Sequence, residues 1–388
     1  MKKIIIVNNN MDVGGVQKSL YNLLWQIHDR YDVTLCLFSA TGQYMDQLPQ
    51  DIKILEVKGP FRYLGKNQQQ WSGLHHLFRG GLALCAKVFG RPSAMCLMQL
   101  GERTLSQQYD CAISFLHNGN IKNFYGGTQE YVLRKIRAAK KVAFLHGDYG
   151  NCGADHPANN RLIGKFDRIA ACSDGCARAF CKALPAYADK CQTVSNCHKF
   201  EEICAMAELD SVCYDGVFTN VVMVSRLGHE KGIERAIFAV DYCAKHGLPV
   251  MLHIVGDGNM RMILEEQVAK FSLQARVRFY GEQANPYRYM KNADLFFMTS
   301  YHEAAPMVIE EACSLGIPVL TTRTTSSQEM VANPNYGWVC ENSQEAINRA
   351  LFDVIAEREV YDRVKAGMQT RHMDNAKALA QLEALMEG

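Results

Sequence analysis

The feature that most constrains the fold is a regular alternation of short apolar runs with helical segments. In the first half of the chain the predicted strands are residues 3–7, 33–38, 52–57, 111–115, 142–145 and 168–171, and the predicted helices are 17–28, 129–137 and 175–182. The strands are apolar along nearly their whole length. Such strands are buried on both faces, which predicts a parallel sheet covered by helices on each side.

The same alternation restarts after residue 217. The predicted strands there are 221–224, 250–255, 277–280, 295–298 and 318–321, and the predicted helices are 233–245, 260–270, 306–314 and 343–357. A chain of 388 residues is also too long for one typical core. The sequence therefore predicts an α/β protein with two doubly wound, Rossmann-like parallel-sheet domains.

No proline- or glycine-rich linker marks the boundary between the two halves. We place the N-terminal domain at residues 1–196 and the C-terminal domain at residues 197–365. Residues 366–388 are predicted to form a helix that packs back on the N-terminal domain.

Charge and hydropathy indicate no strongly charged partner and no membrane span. The net charge is +2, which gives no reason to expect a nucleic acid. The start, MKKIIIVNN, has too few apolar residues for a signal peptide, and no run of about 18 apolar residues occurs. We therefore expect a cytoplasmic protein.

The cysteines are expected to be reduced thiols. The chain has 15 of them, and the densest group is Cys172, Cys176, Cys181, Cys191 and Cys197. No C-x2-C pair occurs, so a zinc site is the less favoured interpretation.

Two acids, Glu303 and Glu311, are separated by seven residues in SYHEAAPMVIEEACSLGIPVL. Glu303 follows an apolar strand, and Glu311 falls in the second turn of a helix whose first turn contains Pro306. The N–H groups near Met307 and Val308 at this helix start attract phosphate. An anion site flanked by two carboxylates suits a ligand with phosphates at one end and hydroxyls at the other, such as a nucleotide-sugar.

Two cations follow a strand in VSRLGHEKG, where Arg226 and Lys231 are five residues apart. Together they can clamp a diphosphate, because charge-assisted bonds to phosphate are strong. The alternative is a pair of surface cations that bind Glu230 or Glu234.

Glycine-rich turns follow other strands. Gly14 and Gly15 precede a helix in VNNNMDVGGVQKSL, and Gly256 follows a strand in IVGDGNMR. Glycines there let a backbone approach a ligand closely, although a tight turn without a ligand explains them as well. His146 ends the strand of VAFLHGDYG, where ligands of open α/β sheets bind, and its alternative role is structural.

Residues 61–101 combine basic and apolar side chains. Arg62, Lys66, Arg79, Lys87 and Arg91 meet no acid in this segment. A basic amphipathic helix can lie on an anionic membrane surface. The alternative is a helix whose apolar face packs on the sheet.

Taken together, these motifs resemble those of the retaining glycosyltransferases of family 4, which have the GT-B fold. The resemblance rests on the E-x7-E motif of Glu303 and Glu311, followed by GIPVL, and on the R-x4-K pair of Arg226 and Lys231. It covers most of the chain and is weakest over 40–110 and after 345. It implies an acceptor-side N-terminal domain and a donor-side C-terminal domain that face each other across a cleft.

The resemblance implies a role for each motif residue that contacts the donor. Arg226 and Lys231 would hold the diphosphate of a UDP-, GDP- or ADP-type sugar, and Glu311 would bind the ribose hydroxyls. Glu303 would contact the donor sugar near the reacting carbon.

Further residues complete the implied site. Backbone N–H groups of Met307 and Val308, with Gly15 opposite them, would cradle the phosphates, and Gly14 and Gly256 belong to the same donor-binding set. His146 would bind the sugar and orient the acceptor, a glycan or lipid-linked molecule.

The resemblance also implies transfer with retention of configuration and without a metal or another cofactor. The chain departs from the family pattern at Ala304, where glycine is usual, so the donor sugar stays open. Two alternative functions also stay open, a nucleotide-sugar epimerase on the same fold and a non-catalytic nucleotide-sugar-binding protein. We expect the enzyme to act in surface polysaccharide or lipid-linked glycan synthesis, peripherally on the inner face of the cell membrane.

Overall fold

The computed structural model describes residues 1–214, 216–332, 335–369 and 373–387. The chain divides into two compact units, one formed by Met1–Cys197 with Asn375–Gly388 and the other by His198–Asp374. The divisions thus fall after residues 197 and 374, where the sequence suggested 196 and 365.

The described residues of the first unit form a seven-stranded sheet with the order β3-β2-β1-β4-β5-β6-β7. Its strands are β1 (Lys3–Asn8), β2 (Asp32–Leu37), β3 (Lys53–Glu56), β4 (Gln108–Ser114), β5 (Arg137–Leu145), β6 (Arg168–Ala171) and β7 (Cys191–Thr193). Its helices before the division are α1 (Gly15–Ile27), α2 (Gly73–Phe89), α3 (Arg91–Leu100), α4 (Thr128–Lys135), α5 (Pro157–Ile163) and α6 (Asp174–Ala183). Neighbouring strands pair in parallel, as predicted.

The core of the first unit explains why its central strands are apolar throughout. Ile4 and Ile6 of β1 belong to one buried cluster, and Ile5 and Val7 belong to another. Successive side chains of a strand point to opposite faces. Both faces of this sheet are therefore covered, and no position of β1 after Lys3 tolerates solvent.

The second unit repeats this arrangement in a six-stranded sheet with the order β10-β9-β8-β11-β12-β13. Its strands are β8 (Thr219–Val224), β9 (Val250–Val255), β10 (Val277–Phe279), β11 (Leu295–Met298), β12 (Val319–Thr322) and β13 (Gly337–Cys340). Its helices are α7 (Phe200–Glu208), α8 (Ile233–Lys245), α9 (Arg261–Lys270), α10 (Tyr287–Met290), α11 (Met307–Ser314), α12 (Gln344–Ala356) and α13 (Arg358–Gln369). Phe296 and Phe297 of β11 point into different clusters, so this sheet too is buried on both faces.

Each sheet has one point at which the strand order changes direction. It lies between β1 and β4 in the first unit and between β8 and β11 in the second. Loops that leave the carboxyl ends of these strands diverge, and the crevice between them is where open α/β sheets bind ligands.

The C-terminal segment forms two helices rather than one. Tyr361 of α13 packs in the core of the second unit and donates a 2.6 Å hydrogen bond to the Asp294 carbonyl oxygen. The last helix, α14 (Ala376–Glu387), places Leu382 and Leu385 in the core of the first unit.

Some predicted boundaries were wrong. The helix predicted at 129–137 ends at Lys135, because Arg137 already begins β5 and pairs with β4.

One residue of the basic segment 61–101, Arg91, is not part of a basic surface: it is 1% exposed and donates a 2.8 Å hydrogen bond to Glu130. Within the described ranges, no helix has the length and apolar character needed to cross a bilayer.

Candidate functional site

An ion pair lies where the strand order of the second sheet changes direction. Lys231 Nζ is 2.7 Å from Glu303 Oε1, and Ser300 Oγ donates to the same oxygen at 2.8 Å. Lys231 follows β8 and Glu303 follows β11, so the fold brings together two predicted site residues that are 72 positions apart. Their side chains are 24% and 12% exposed, which leaves both accessible to a small ligand.

Gly232 explains how the two loops come so close. Its φ is +58°, and a Cβ atom there would lie 2.3 Å from the Thr299 carbonyl oxygen. Thr299 Oγ1 in turn donates a 2.7 Å hydrogen bond to the Gly232 carbonyl oxygen. Only glycine adopts this conformation in this space without strain, so the residue after Lys231 fixes the distance between the loops.

A buried arginine supports the loop that carries Glu303. Arg235 is 4% exposed, and its Nη1 donates to the Thr299 carbonyl oxygen at 3.2 Å and to Asn342 Oδ1 at 2.7 Å. Its guanidinium lies 4.5 Å from the centre of the Tyr301 ring. These contacts hold residues 299–303 from below and leave Glu303 in a defined place.

Arg226 lies on the same loop as Lys231 but is far more exposed. Its side chain is 74% exposed, and its Nη2 is 2.5 Å from Glu230 Oε1. This is the surface pairing that the sequence allowed as an alternative for Arg226. An exposed pair of this kind is weakly held in water, so the guanidinium can turn towards a phosphate.

Glu311 and the start of α11 lie beyond β11. The helix begins at Met307 with Pro306 before it, rather than within its first turn as predicted. Glu311 lies in the second turn and is 3% exposed. The first N–H groups of a helix, here those of Met307 and Val308, have no partner within the helix and can bind an anion.

A buried histidine contacts the first turn of α11. His198 Nε2 is 2.6 Å from Glu310 Oε2, and His198 is 1% exposed. Since Glu310 precedes Glu311, this contact also limits the rotation of the helix that carries Glu311.

The packing of the protein itself requires glycine at the two positions that follow β9. Gly256 has φ of +134°, and a Cβ atom there would lie 2.0 Å from the Ser225 carbonyl oxygen. A Cβ atom at Gly258 would lie 2.5 Å from the Leu227 carbonyl oxygen. The close approach that these glycines permit is to the loop of Arg226, so Gly256 shapes that loop.

In the first unit, a loop follows β1 and leads into α1. Gly14 precedes this helix and Gly15 is its first residue. Gly14 is extended, with φ of 171°, and a Cβ atom at Gly15 would meet no atom within 4 Å. The backbone of the protein therefore does not require glycine at position 15, in contrast to position 256.

His146 follows β5 and packs against two aromatic rings, tilted on one and stacked on the other. Its ring centre is 4.5 Å from that of Phe115 and 5.8 Å from that of Phe144. Its backbone N–H donates to His117 Nδ1 at 3.2 Å. Burial, together with the neighbouring His117, lowers the pKa of His146 to about 3, and burial lowers the pKa of His117 to about 4. Both rings are neutral near pH 7, so His146 can exchange hydrogen bonds but supplies no charge.

Sequence reasoning missed three residues of these sites. His117 follows β4 just as His146 follows β5, so the rule applied to His146 could have found it. Gly232 directly follows Lys231 and could have been recognised as a loop glycine. Ser300 gave no signal, because its role depends on the position of Glu303.

The geometry gives the second unit the means to bind a diphosphate with attached hydroxyl groups. Lys231 is bonded to Glu303, Arg226 lies on the same loop as Lys231, and Glu311 lies in the helix that begins four residues after Glu303. Within the part of the chain that is described, no three His, Cys, Asp or Glu side chains are grouped so as to hold a metal ion.

Known proteins resemble this chain in sequence. Residues 218–371 match the family model described as glycosyl transferases group 1. The lipopolysaccharide core biosynthesis glycosyltransferase LpsE of Rhizobium meliloti is 30% identical over 146 residues, which cover 37% of this chain and 42% of that protein. The lipopolysaccharide glucosyltransferase WaaG of Escherichia coli is 29% identical over 157 residues, covering 39% and 41%. The chain thus spans about two fifths of the length of these curated relatives.

A solved structure resembles the chain over nearly its whole length. Anabaena HepE in complex with UDP and glucose aligns with a TM-score of 0.70 at 18% identity, covering 99% of both chains. This likeness shows the fold, which is that of the GT-B glycosyltransferases. Residues 218–371 of the second unit are thus similar to the group 1 glycosyl transferases.

Proposed function

We propose that this protein is a retaining glycosyltransferase that moves a sugar from a nucleotide diphosphate-sugar to an acceptor hydroxyl. The observation that carries the proposal is the contact of Lys231 with Glu303, 2.7 Å apart, at the carboxyl ends of β8 and β11. It joins a phosphate-binding type of residue to a hydroxyl-binding type of residue in one crevice.

In this proposal Arg226 and Lys231 bind the diphosphate. Lys231 has three N–H donors, so it can keep its bond to Glu303 and still donate to a phosphate oxygen. Arg226 can exchange its exposed partner, Glu230, for a second phosphate oxygen. The N–H groups of Met307 and Val308 face the same negative charge.

The carboxylates select the two sugars of the donor. Glu311 accepts hydrogen bonds from the ribose hydroxyls, and Glu303 accepts from the transferred sugar near its reacting carbon. Gly256 shapes the Arg226 loop, and its backbone completes the donor set. In the first unit, Gly14 and Gly15 let the donor approach the backbone, and His146 binds the sugar and orients the acceptor as a neutral ring.

The reaction breaks the bond between the anomeric carbon and the terminal phosphate oxygen and forms a bond from that carbon to the acceptor oxygen. The proton of the acceptor hydroxyl passes to the leaving phosphate, which stays on the face of the sugar that the acceptor attacks, so configuration is retained. Lys231 and Arg226 stabilise the charge that grows on the leaving diphosphate, and no metal or other cofactor is required.

We further propose that the acceptor is a glycan or a lipid-linked molecule of surface polysaccharide synthesis. The names of LpsE and WaaG, which refer to lipopolysaccharide, support this choice of acceptor class. The protein would then work at the inner face of the cell membrane, with segment 61–101 towards an anionic lipid surface.

A panel of UDP-, GDP- and ADP-sugars tests the proposal. The matching donor should raise thermal stability, by about 2.7 kcal/mol at 100 times its dissociation constant. With cell membranes as the acceptor source, the same donor should release its nucleoside diphosphate and label a glycan. Conversion of the donor without any acceptor would indicate an epimerase, and binding without turnover would indicate a non-catalytic protein.

A further inference from the structure

We propose that α2 docks the protein on an anionic lipid surface by inserting a continuous apolar stripe between the headgroups. The inference rests on the proposed function in one respect only: docking would bring the protein to a lipid-linked acceptor. The stripe itself is a property of the first unit and is argued here from its exposure, continuity and charge.

The stripe runs along the whole of α2. Its members are large apolar residues between 52% and 84% exposed: Leu74, Leu77, Phe78, Leu84, Val88 and Phe89. At about 100° per residue they fall within an arc of about 140°, with Gly81 in its middle. Contiguous exposed apolar surface of this kind marks an interaction site.

The side of α2 next to the stripe already packs on the core of the first unit. Leu82 and Ala86 are buried, and Leu82 belongs to the cluster under the sheet. The alternative from the sequence, a helix that simply packs on the sheet, therefore accounts for one face of α2 and leaves the stripe unexplained.

The stripe continues onto α3. Leu97 of α3 lines an open groove together with Leu74, Leu77 and Phe78. Arg91, at the start of α3, is buried and binds Glu130 of α4, which fixes the helix pair to the body of the unit. The apolar surface is thus presented by a rigid platform.

The charges around the stripe select an anionic surface. Residues 61–101 contain no acid, and Lys87 is exposed on the flank of α2. At the start of α2, Arg62 and Lys66 each lie 5.7 Å from the Trp71 ring. An aromatic ring beside cations suits the boundary between headgroups and acyl chains.

Not every cation of the segment is available to a lipid. Arg79 donates hydrogen bonds to the carbonyl oxygens of Tyr63 and Lys66. The ammonium group of Lys66 interacts electrostatically with the carboxylate of Asp12. Lys87 and Arg62 therefore carry most of the attraction.

A second copy of the chain fits the stripe less well. In a two-fold contact the same patch meets itself, so two patches that each carry the positive charges of Lys87 and Arg62 would meet with no acid of residues 61–101 to offset them. Anionic headgroups supply the missing negative charge, which is why we favour a lipid surface.

Vesicle co-sedimentation with the full chain tests the inference. Wild type should bind vesicles containing phosphatidylglycerol at least tenfold more tightly than pure phosphatidylcholine vesicles, and added salt should weaken the binding. The double variant Leu77→Glu/Val88→Glu should lose at least tenfold in binding. The matched control Leu209→Glu changes an equally exposed leucine of the second unit and should bind like wild type.

Each other outcome has a defined meaning. Equal binding of wild type and double variant overturns the proposal, and so does a wild-type dimer that the double variant converts to a monomer. Nucleotide-sugar binding by thermal shift should be the same in both proteins. Its absence in both would refute the proposed function and leave the docking result standing.

Discussion

The two units share one sheet order but differ in the chemistry at the point where that order changes direction. In the second unit this point holds charges, with Lys231 bonded to Glu303 and Arg226 nearby. In the first unit it holds asparagines, glycines and the neutral rings of His117 and His146.

The difference shows that the sheet topology determines where a ligand can bind, and that the residue types at that position determine which chemistry is possible there. Parallel strands bring the same loops together in both sheets. The described loops of the second unit fill that place with an ion pair and a further cation, whereas those of the first unit carry mainly amide, glycine and histidine residues, with Asp12 among them. Function therefore has to be assigned to each unit from its side chains.

The largest expected effect comes from removing the ammonium group of Lys231. Lys231→Ala should lower kcat/KM for glycosyl transfer by about 100- to 1,000-fold, because it removes a charge aimed at the leaving diphosphate. The control Lys245→Ala removes an exposed lysine of α8 that pairs with Asp241. Steady-state kinetics of both variants with the donor found in the panel gives the answer, and equal activity would place the diphosphate elsewhere.

Glu303→Gln keeps the shape of the side chain and removes its charge. We expect kcat to fall by about tenfold to 100-fold with little change in donor affinity, since Glu303 is assigned to the reacting sugar. Donor affinity is measured by titration calorimetry and kcat by product release. The control is Glu265→Gln, which changes an exposed acid paired with Arg261. A loss of affinity with unchanged kcat would reassign Glu303 to ground-state binding.

Two glycine substitutions sharpen the comparison between the units. Gly232→Ala should destabilise the protein by about 2 kcal/mol or more, because the new Cβ would meet the Thr299 carbonyl oxygen in a left-handed conformation. Gly15→Ala places its Cβ in open space and should change stability by less than about 0.5 kcal/mol. Thermal unfolding of the two variants side by side tests this, and similar losses would contradict the geometry.

Arg226→Ala should weaken nucleoside diphosphate binding by about tenfold, less than Lys231→Ala affects turnover, because the arginine is exposed and must first leave Glu230. Calorimetric titration with the diphosphate measures it. Arg261→Ala is the matched control, since this arginine also pairs with acids four residues away along the chain. Unchanged affinity in the Arg226 variant would remove it from the clamp.

A pH dependence of the free energy of unfolding is expected in the first unit. The folded pKa of His146 is lowered to about 3 from an ordinary value of 6.5, so its stabilising contribution is complete above pH 6.5 and is lost as the pH falls towards 3. At pH 5 one such histidine costs up to about 2 kcal/mol relative to pH 7. Urea unfolding at both pH values should show a smaller loss for His146→Gln than for wild type, and His246→Gln, an exposed histidine of the second unit, should behave like wild type.

The sequence predicted the sheets well because their strands are buried on both faces and therefore apolar at every position. It missed β7 and β13, which are short and only partly buried, so that their composition does not stand out. The helix predicted at 129–137 ran into β5, since the polar start of that strand carries no apolar signal.

The sequence predicted the site residues as types and places, but not their partners. Arg226 and Lys231 look alike in a motif, yet one is exposed beside Glu230 and the other bonds Glu303 across the sheet. Gly256 was interpreted through a ligand, whereas its neighbour is the Ser225 carbonyl oxygen. Such differences depend on the distance between loops, which three-dimensional packing sets.

Helix α14 makes the first unit discontinuous along the chain. Lys140 Nζ donates to the Met386 carbonyl oxygen at 3.0 Å, and Gln381 accepts a hydrogen bond from the Ser195 N–H. A ribosome makes all of residues 198–374 before it reaches this helix, so the chain of the second unit is complete before that of the first. Until α14 is made, part of the core of the first unit stays exposed. During that interval chaperones and proteases have most access to the nascent protein.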